Sequence, residues 1–202
     1  NIPCFPFEGE WEAAFGHPAR TGTWIIWGES GNGKSAFVMK LAKYLCNWCT
    51  VAYDSLEEST GLSLQNAINR ERMEEVNYRF KILDREAMPE LSERLLKRRS
   101  PDVVIIDSFQ YSGLTYATYK AMKEKHHNKL LIFVSHCEGI KPEGRAAKKV
   151  AYDADVKIYI SCFRAVCKGR FITKPGNHFT IWKEGAAQCF PTEIKDKENE
   201  NT

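Results

Sequence analysis

Between an apolar run, Trp24-Ile25-Ile26-Trp27, and an amphipathic stretch at 34–46 with Phe37, Leu41 and Leu45 on one face, lies Gly28-Glu29-Ser30-Gly31-Asn32-Gly33-Lys34-Ser35. The spacing is G-x-x-x-x-G-K-[ST], and a strand–loop–helix setting is the one in which it has physical meaning. Three glycines let successive backbone N–H groups turn inward, and the helix beginning near Lys34 adds the positive end of its dipole. Such a cradle takes phosphate. Lys34 would reach the β- and γ-phosphates of a nucleoside triphosphate, and the Ser35 hydroxyl would ligate Mg2+, a hard cation served by oxygen. The alternative, a Gly-rich turn that binds nothing, leaves the agreement of strand, loop and helix without a cause.

Apolar runs of four to six residues recur along the chain between helical patterns and turn signals, the alternation of a mostly parallel sheet covered by helices. The patterns predict strands at 24–27, 50–53, 79–83, 103–107, 130–134 and 156–162, and helices at 34–46, 61–76, 90–99 and 116–126. Val103-Val104-Ile105-Ile106 is continuous and β-branched, hence buried on both faces. Near the end, 171–173 and 179–182 flank Lys174-Pro175-Gly176-Asn177-His178 and read as an antiparallel hairpin. A length of 202 residues suits one domain, expected over 1–190, with a polar, disordered tail at 191–202.

Lys and Arg number 29 against 26 Asp and Glu, a net charge of +3, so any contact with nucleic acid must come from a local patch. Seven cysteines, an odd number with Cys46, Cys137 and Cys162 inside apolar runs, fit free thiols in a reducing cytoplasm better than disulfides. Cys46-Asn47-Trp48-Cys49 has C-x-x-C spacing, but no second ligand pair follows; the pair reads as helix-end packing and no structural zinc is expected. No run approaches the roughly 18 apolar residues of a membrane span, so no membrane partner is expected. The chain starts at Asn1 rather than Met, and an upstream piece removed in processing is left open.

A triphosphate site needs a carboxylate to complete the metal shell. Asp107 ends the most apolar strand, where its side chain would emerge at the C-terminal edge of the sheet beside the loop. This is the Walker B position, with a plain turn-capping aspartate as the alternative.

With these two elements placed, residues 22–182 resemble the RecA-like P-loop ATPases, and most of all the ATPase domain of DnaB-type hexameric helicases and the RadA-type proteins. The resemblance implies an α/β fold whose mostly parallel central sheet is flanked by helices and carries a C-terminal antiparallel hairpin. Ser55-Leu56-Glu57-Glu58-Ser59 resembles the segment in which a glutamate orients the attacking water, and Glu57 falls on that position. Two solvated glutamates opening a helix are the alternative. Asp107-Ser108-Phe109-Gln110 resembles the family's D-Y-L-Q. Val134-Ser135-His136 resembles the next strand, which ends in Ser-Gln, the amide sensing the γ-phosphate. His136 stands for that glutamine: a histidine still donates, but its charge depends on pH. A strand-end histidine bonded to backbone is the alternative. Gly144-Arg145 through Asp153-Ala154-Asp155-Val156 keeps the family's spacing between a loop arginine and the D-A-D-V of the next strand.

Lys141, Arg145, Lys148 and Lys149 against Glu143 make this loop basic. In the family the corresponding loop lines a channel for single-stranded nucleic acid; a solvated charge run is the alternative. The family's lysine-and-arginine pair, which reaches a neighbouring subunit's nucleotide, is reduced here to Lys174; Arg164 or Arg170 would have to substitute for the arginine, and the spacing does not choose between them. A bare motor core, without the N-terminal region of a replicative helicase, is expected.

The sequence thus points to a cytoplasmic, ATP-binding and ATP-hydrolysing, Mg2+-dependent protein. It would act on single-stranded DNA in replication, recombination or repair as a homo-oligomeric ring or filament. Lys34, Glu57 and His136 would be catalytic; Gly28, Glu29, Ser30, Gly31, Asn32, Gly33, Lys34 and Ser35 would hold the nucleotide; Ser35 and Asp107 would hold the metal. Two other classes stay open, a P-loop phosphotransferase of a small acceptor and a nucleotide-gated binding module with little hydrolysis.

Overall fold

Continuous apolar runs become interior strands. The structure, a computed structural model, describes residues 2–58, 60–168 and 177–189. In chain order the elements are α1 (Gly9–Phe15), β1 (Gly22–Gly28), α2 (Lys34–Leu45), β2 (Val51–Ser55), α3 (Leu62–Arg70), β3 (Phe80–Asp84), α4 (Met88–Leu96), β4 (Val103–Asp107), α5 (Tyr116–Lys125), β5 (Leu130–Ser135), β6 (Cys137–Glu138), β7 (Lys141–Pro142), α6 (Arg145–Asp153), β8 (Val156–Ser161), β9 (Arg164–Cys167), β10 (His178–Thr180) and α7 (Lys183–Cys189). Eight strands form one sheet in the order β10-β9-β8-β1-β5-β4-β2-β3, and β6 with β7 makes a separate ribbon. From β8 to β3 all pairings are parallel; β9 and β10 close the other end antiparallel.

The pleat decides which helices each strand residue meets. Trp24 and Ile26 enter one core with Phe37, Leu41 and Leu45 of α2, whereas Ile25 and Trp27 enter a second with Leu91 of α4, Tyr119 of α5 and Val150 of α6. Each central strand therefore buries both faces, and each fully buried Val or Ile contributes about 1.5–3 kcal/mol. The first core is completed by aromatic residues of the N-terminal segment. Trp11 stacks on Tyr44 at 4.6 Å and lies 4.2 Å from the Phe179 ring of β10.

Several elements differ from expectation. The helix expected at 61–76 ends at Arg70, because Arg72 adopts a left-handed backbone (φ 52°) that opens a 3-10 turn at Met73–Val76. The helix expected at 90–99 starts at Met88, with Pro89 in its first turn where no N–H is needed, and ends at Leu96. The antiparallel hairpin is present, but the strand beside β10 is β9; residues 171–173 lie outside the described ones, as does the 191–202 tail. Segment 141–149, expected as a loop, is β7 followed by the first turns of α6, because Ala147 and Val150 are drawn into the second core.

All seven cysteines are free thiols. Burial pushes Cys46 up to about 11 and Cys49 up to about 12, and the Cys49 thiol donates to the Leu45 carbonyl at the end of α2 (3.2 Å). Among the described residues no helix is long and apolar enough to cross a membrane.

Candidate nucleotide site

Parallel pairing brings four strand ends together. Trp27 of β1 is level with Ser135 of β5, Val134 with Asp107 of β4, and Asp107 with Ser55 of β2. The residues that follow these ends open onto one cavity of about 860 Å³.

The loop at 28–35 forms its floor. Gly28 lies so close to β8 that a Cβ would sit 2.4 Å from the Ile160 carbonyl oxygen. Gly33 caps α2 with φ 92°, a conformation L side chains rarely adopt, and a Cβ there would also meet the Phe163 ring at 2.9 Å. Asn32 ties the loop to the β8–β9 turn: its Oδ1 accepts from Cys162 N at 2.9 Å and its carbonyl accepts from Phe163 N at 3.1 Å. Lys34 folds back over the cradle, its Nζ donating to Gly28 O at 3.1 Å. Ser35 is exposed to the cavity in the first turn of α2.

Across the cavity, the Tyr53 hydroxyl donates to Asp107 Oδ2 at 2.5 Å. Burial pushes the Asp107 carboxyl up, while the Tyr53 hydroxyl and the Lys34 charge pull it down. The Asp107 carbonyl accepts from Leu56 N at 2.7 Å and Glu57 N at 3.3 Å, which pins the segment after β2. Arg85 adds a hydrogen bond from Nη2 to Glu57 O at 3.1 Å.

Glu57 Oε2 lies 2.8 Å from His136 Nε2, whereas Glu58 stays exposed at the rim. His136 therefore engages a side chain with its ring, not backbone. Its own N–H donates to Gln110 Oε1 at 3.1 Å, and its Nδ1 is 3.3 Å from Glu143 Oε2. Lys34, Ser35, Glu57, Asp107 and His136 thus line one cavity. The four basic candidates lie outside that lining. Lys141, Arg145 and Lys149 are exposed, Lys149 Nζ sits 5.5 Å from the Tyr116 ring centroid, and Lys148 pairs with Glu138 at 2.5 Å. Arg164 opens β9; Arg170 and Lys174 fall outside the described residues.

Sequence reasoning missed Tyr53 and Glu143. Tyr53 has a faint signal, a hydroxyl on the strand face it shares with Val51 and Ser55, and Gln110 stood in a motif without a partner. Nothing marked Glu143, whose contact spans separate elements. Chemically the site offers loop N–H groups, an ammonium, a hydroxyl and a carboxylate, a donor set that suits a triphosphate with Mg2+.

Over 88% of this chain and 93% of the other, the structure is similar to that of the flagellar accessory protein FlaH from Methanocaldococcus jannaschii, with a TM-score of 0.57 and 17% identity. A second solved structure, the ATPase domain of another protein, is similar over 69% of each chain, with a TM-score of 0.52 and 17% identity. The fold is RecA-like. No protein-family model and no curated protein matches the sequence. Within this RecA-like sheet, β5 lies between the strand that leads into the 28–35 loop and the strand that carries Asp107, so His136 stands between the two ends of the cavity.

Proposed function

We propose that this chain binds ATP and hydrolyses it with the help of Mg2+, and that hydrolysis serves work on single-stranded DNA in replication, recombination or repair. The working form would be a ring or filament of identical chains in the cytoplasm. The observation that carries the reading is the convergence of the phosphate cradle, Asp107 and the Glu57–His136 pair on one cavity. The second of the two similar structures is itself named as an ATPase domain.

Lys34 would leave the Gly28 carbonyl for the β- and γ-phosphate oxygens, joined by the N–H groups of the loop. Ser35 and Asp107 would hold Mg2+, which supplies charge neutralisation on the phosphates. Glu57 would accept a hydrogen bond from the attacking water and keep it in line with the leaving oxygen. His136, bonded to Glu57 from Nε2, would couple that carboxylate to the γ-phosphate end of the site. Contact with single-stranded DNA would fall to the exposed Lys141, Arg145 and Lys149 with Lys148 beside them, since phosphate neutralisation needs accessible cations.

The test is ATP turnover measured against protein concentration, with and without single-stranded DNA. We expect Mg2+-dependent phosphate release that rises with both, no nucleotide binding in Lys34→Ala, and in Glu57→Gln retained ATP with turnover down by about 100-fold or more. DNA binding should weaken with salt and be reduced in the Lys141→Ala/Lys149→Ala variant. Full turnover in Lys34→Ala refutes the nucleotide assignment. Salt-independent DNA binding refutes the DNA assignment.

A further inference from the structure

We propose that Glu143 is a positioning residue of the catalytic site, fixing which edge of the His136 ring faces Glu57. The inference rests on the ATPase reading and extends it to a cavity-lining side chain that would act on Glu57 through the His136 ring.

An imidazole ring has two unlike edges. With Nε2 at 2.8 Å from Glu57 Oε2, Nδ1 points the other way and meets Glu143 Oε2 at 3.3 Å. Turning the ring over by half a rotation would place carbon at both positions, so neither carboxylate would find a donor. Ser108 Oγ, 3.5 Å from Nε2, sits on the Glu57 side and the Tyr111 ring is 6.2 Å away, which leaves Glu143 as the polar group that holds the far edge. A glutamate here does for a histidine what an amide in its place would not need.

Glu143 is itself held at its backbone. Its N–H donates to the His136 carbonyl at 2.9 Å, and its carbonyl accepts from Gln110 Nε2 at 3.0 Å. Gln110 in turn accepts from His136 N at 3.1 Å and donates to Ser135 Oγ at 2.9 Å, closing a ring of contacts around the end of β5. The carboxylate projects from this fixed backbone and is about half exposed (49%), so the fold does not depend on packing it. Removing it should release the ring and leave the scaffold in place.

The experiment compares steady-state kinetics of wild type, Glu143→Ala, Glu143→Gln, His136→Gln and the double variant His136→Gln/Glu143→Ala, together with 15N spectra of the histidine rings. Glu143→Ala is expected to lower kcat about tenfold, the worth of losing one close carboxylate contact to the ring, with KM for ATP within about twofold. Glu143→Gln should recover most of the loss, since its amide oxygen still places a polar acceptor against the Nδ1 edge. In the His136→Gln background the alanine substitution should add nothing. An equal fall in both backgrounds, or a raised KM with unchanged kcat, overturns the inference. If wild type shows no turnover the ATPase reading fails, and the spectra still decide the positioning role. Of the five histidines, the resonances lost in His136→Gln should be the ones displaced in Glu143→Ala, and an unmoved set overturns it.

Discussion

Asp54 on β2 has no exposed surface, accepts one hydrogen bond, from Glu86 N to Oδ1 at 3.0 Å, and has no partner for Oδ2. Burial raises its carboxyl from 3.8 to about 6. Because the folded value lies above the unfolded one, the native chain holds this proton more tightly. The stability it contributes is fully present below 3.8 and is lost as pH rises through about 6. At about 1.4 kcal/mol per pH unit, the gap amounts to about 3 kcal/mol. Asp54→Asn keeps an acceptor for Glu86 N and removes the charge, so the variant should gain on wild type as pH rises. Between pH 4 and pH 8 the difference in unfolding free energy should grow by about 2–3 kcal/mol, and the gap in Tm by roughly 5–10 °C. Urea and thermal melts across that range measure it, and every other titrating group cancels between the two proteins. Parallel stability curves would falsify the assignment of a buried, poorly satisfied carboxyl. The site should feel the change little, because the Glu86 bond that steadies the neighbouring Arg85–Glu57 contact is kept.

Three further outcomes are expected. Gly33→Ala, strained at φ 92° and crowded by Phe163, should lower Tm by several degrees, about 2–4 °C per kcal/mol lost, and weaken nucleotide binding; an unchanged Tm would show that the turn relaxes freely. Tyr53→Phe removes a donor that pulls the Asp107 carboxyl down, so the acid limb of the pH–rate profile should move to higher pH and the Mg2+ requirement should rise; a superimposable profile contradicts this. The Cys189 thiol is raised by its hydrogen bond to Cys162, which puts the two sulfurs side by side; diamide should therefore join them within one chain, a loss of two thiols that Cys162→Ser prevents. Cross-linking between chains would refute that pairing.

Much of the architecture could be read from residues whose local pattern and burial agree. Val103-Val104-Ile105-Ile106 runs as β4 over its expected range because an interior parallel strand needs apolar residues on both faces, and turn signals stood at both ends. The turn at 28–35 was legible for a similar reason, since the positive φ at Gly31 and Gly33 is a local demand that glycine meets. What escaped depends on partners far along the chain. α1 is held by aromatic contacts to α2 and β10, none of which its seven residues announce. β9 follows a turn in which Cys162 and Phe163 both adopt positive φ, residues that carry no turn signature. α6 was hidden by its own charge, because lysines on its outer face outweighed Ala147 and Val150 beneath. At the site, Asp107 and Glu57 follow from strand ends and resemblance, whereas Tyr53 and Glu143 acquire meaning only once β2, β5 and the β6–β7 ribbon are folded side by side.

The position of β1 in the sheet sets an order of assembly. Among the described residues β1 pairs with β5 and β8 alone, whereas β2 pairs with β3 on one side and β4 on the other. A chain emerging from the ribosome can join β2, β3 and β4 into a half-sheet, with the tips that carry Glu57 and Asp107 already adjacent. The strand that leads into the 28–35 loop waits until Leu130–Ser135 has been made and inserted beside it. Such long-range closure is slow compared with local pairing. The loop at 28–35, although it comes first in the chain, therefore joins the cavity only with β5 and the His136 that follows it, after the tips that carry Glu57 and Asp107 have met.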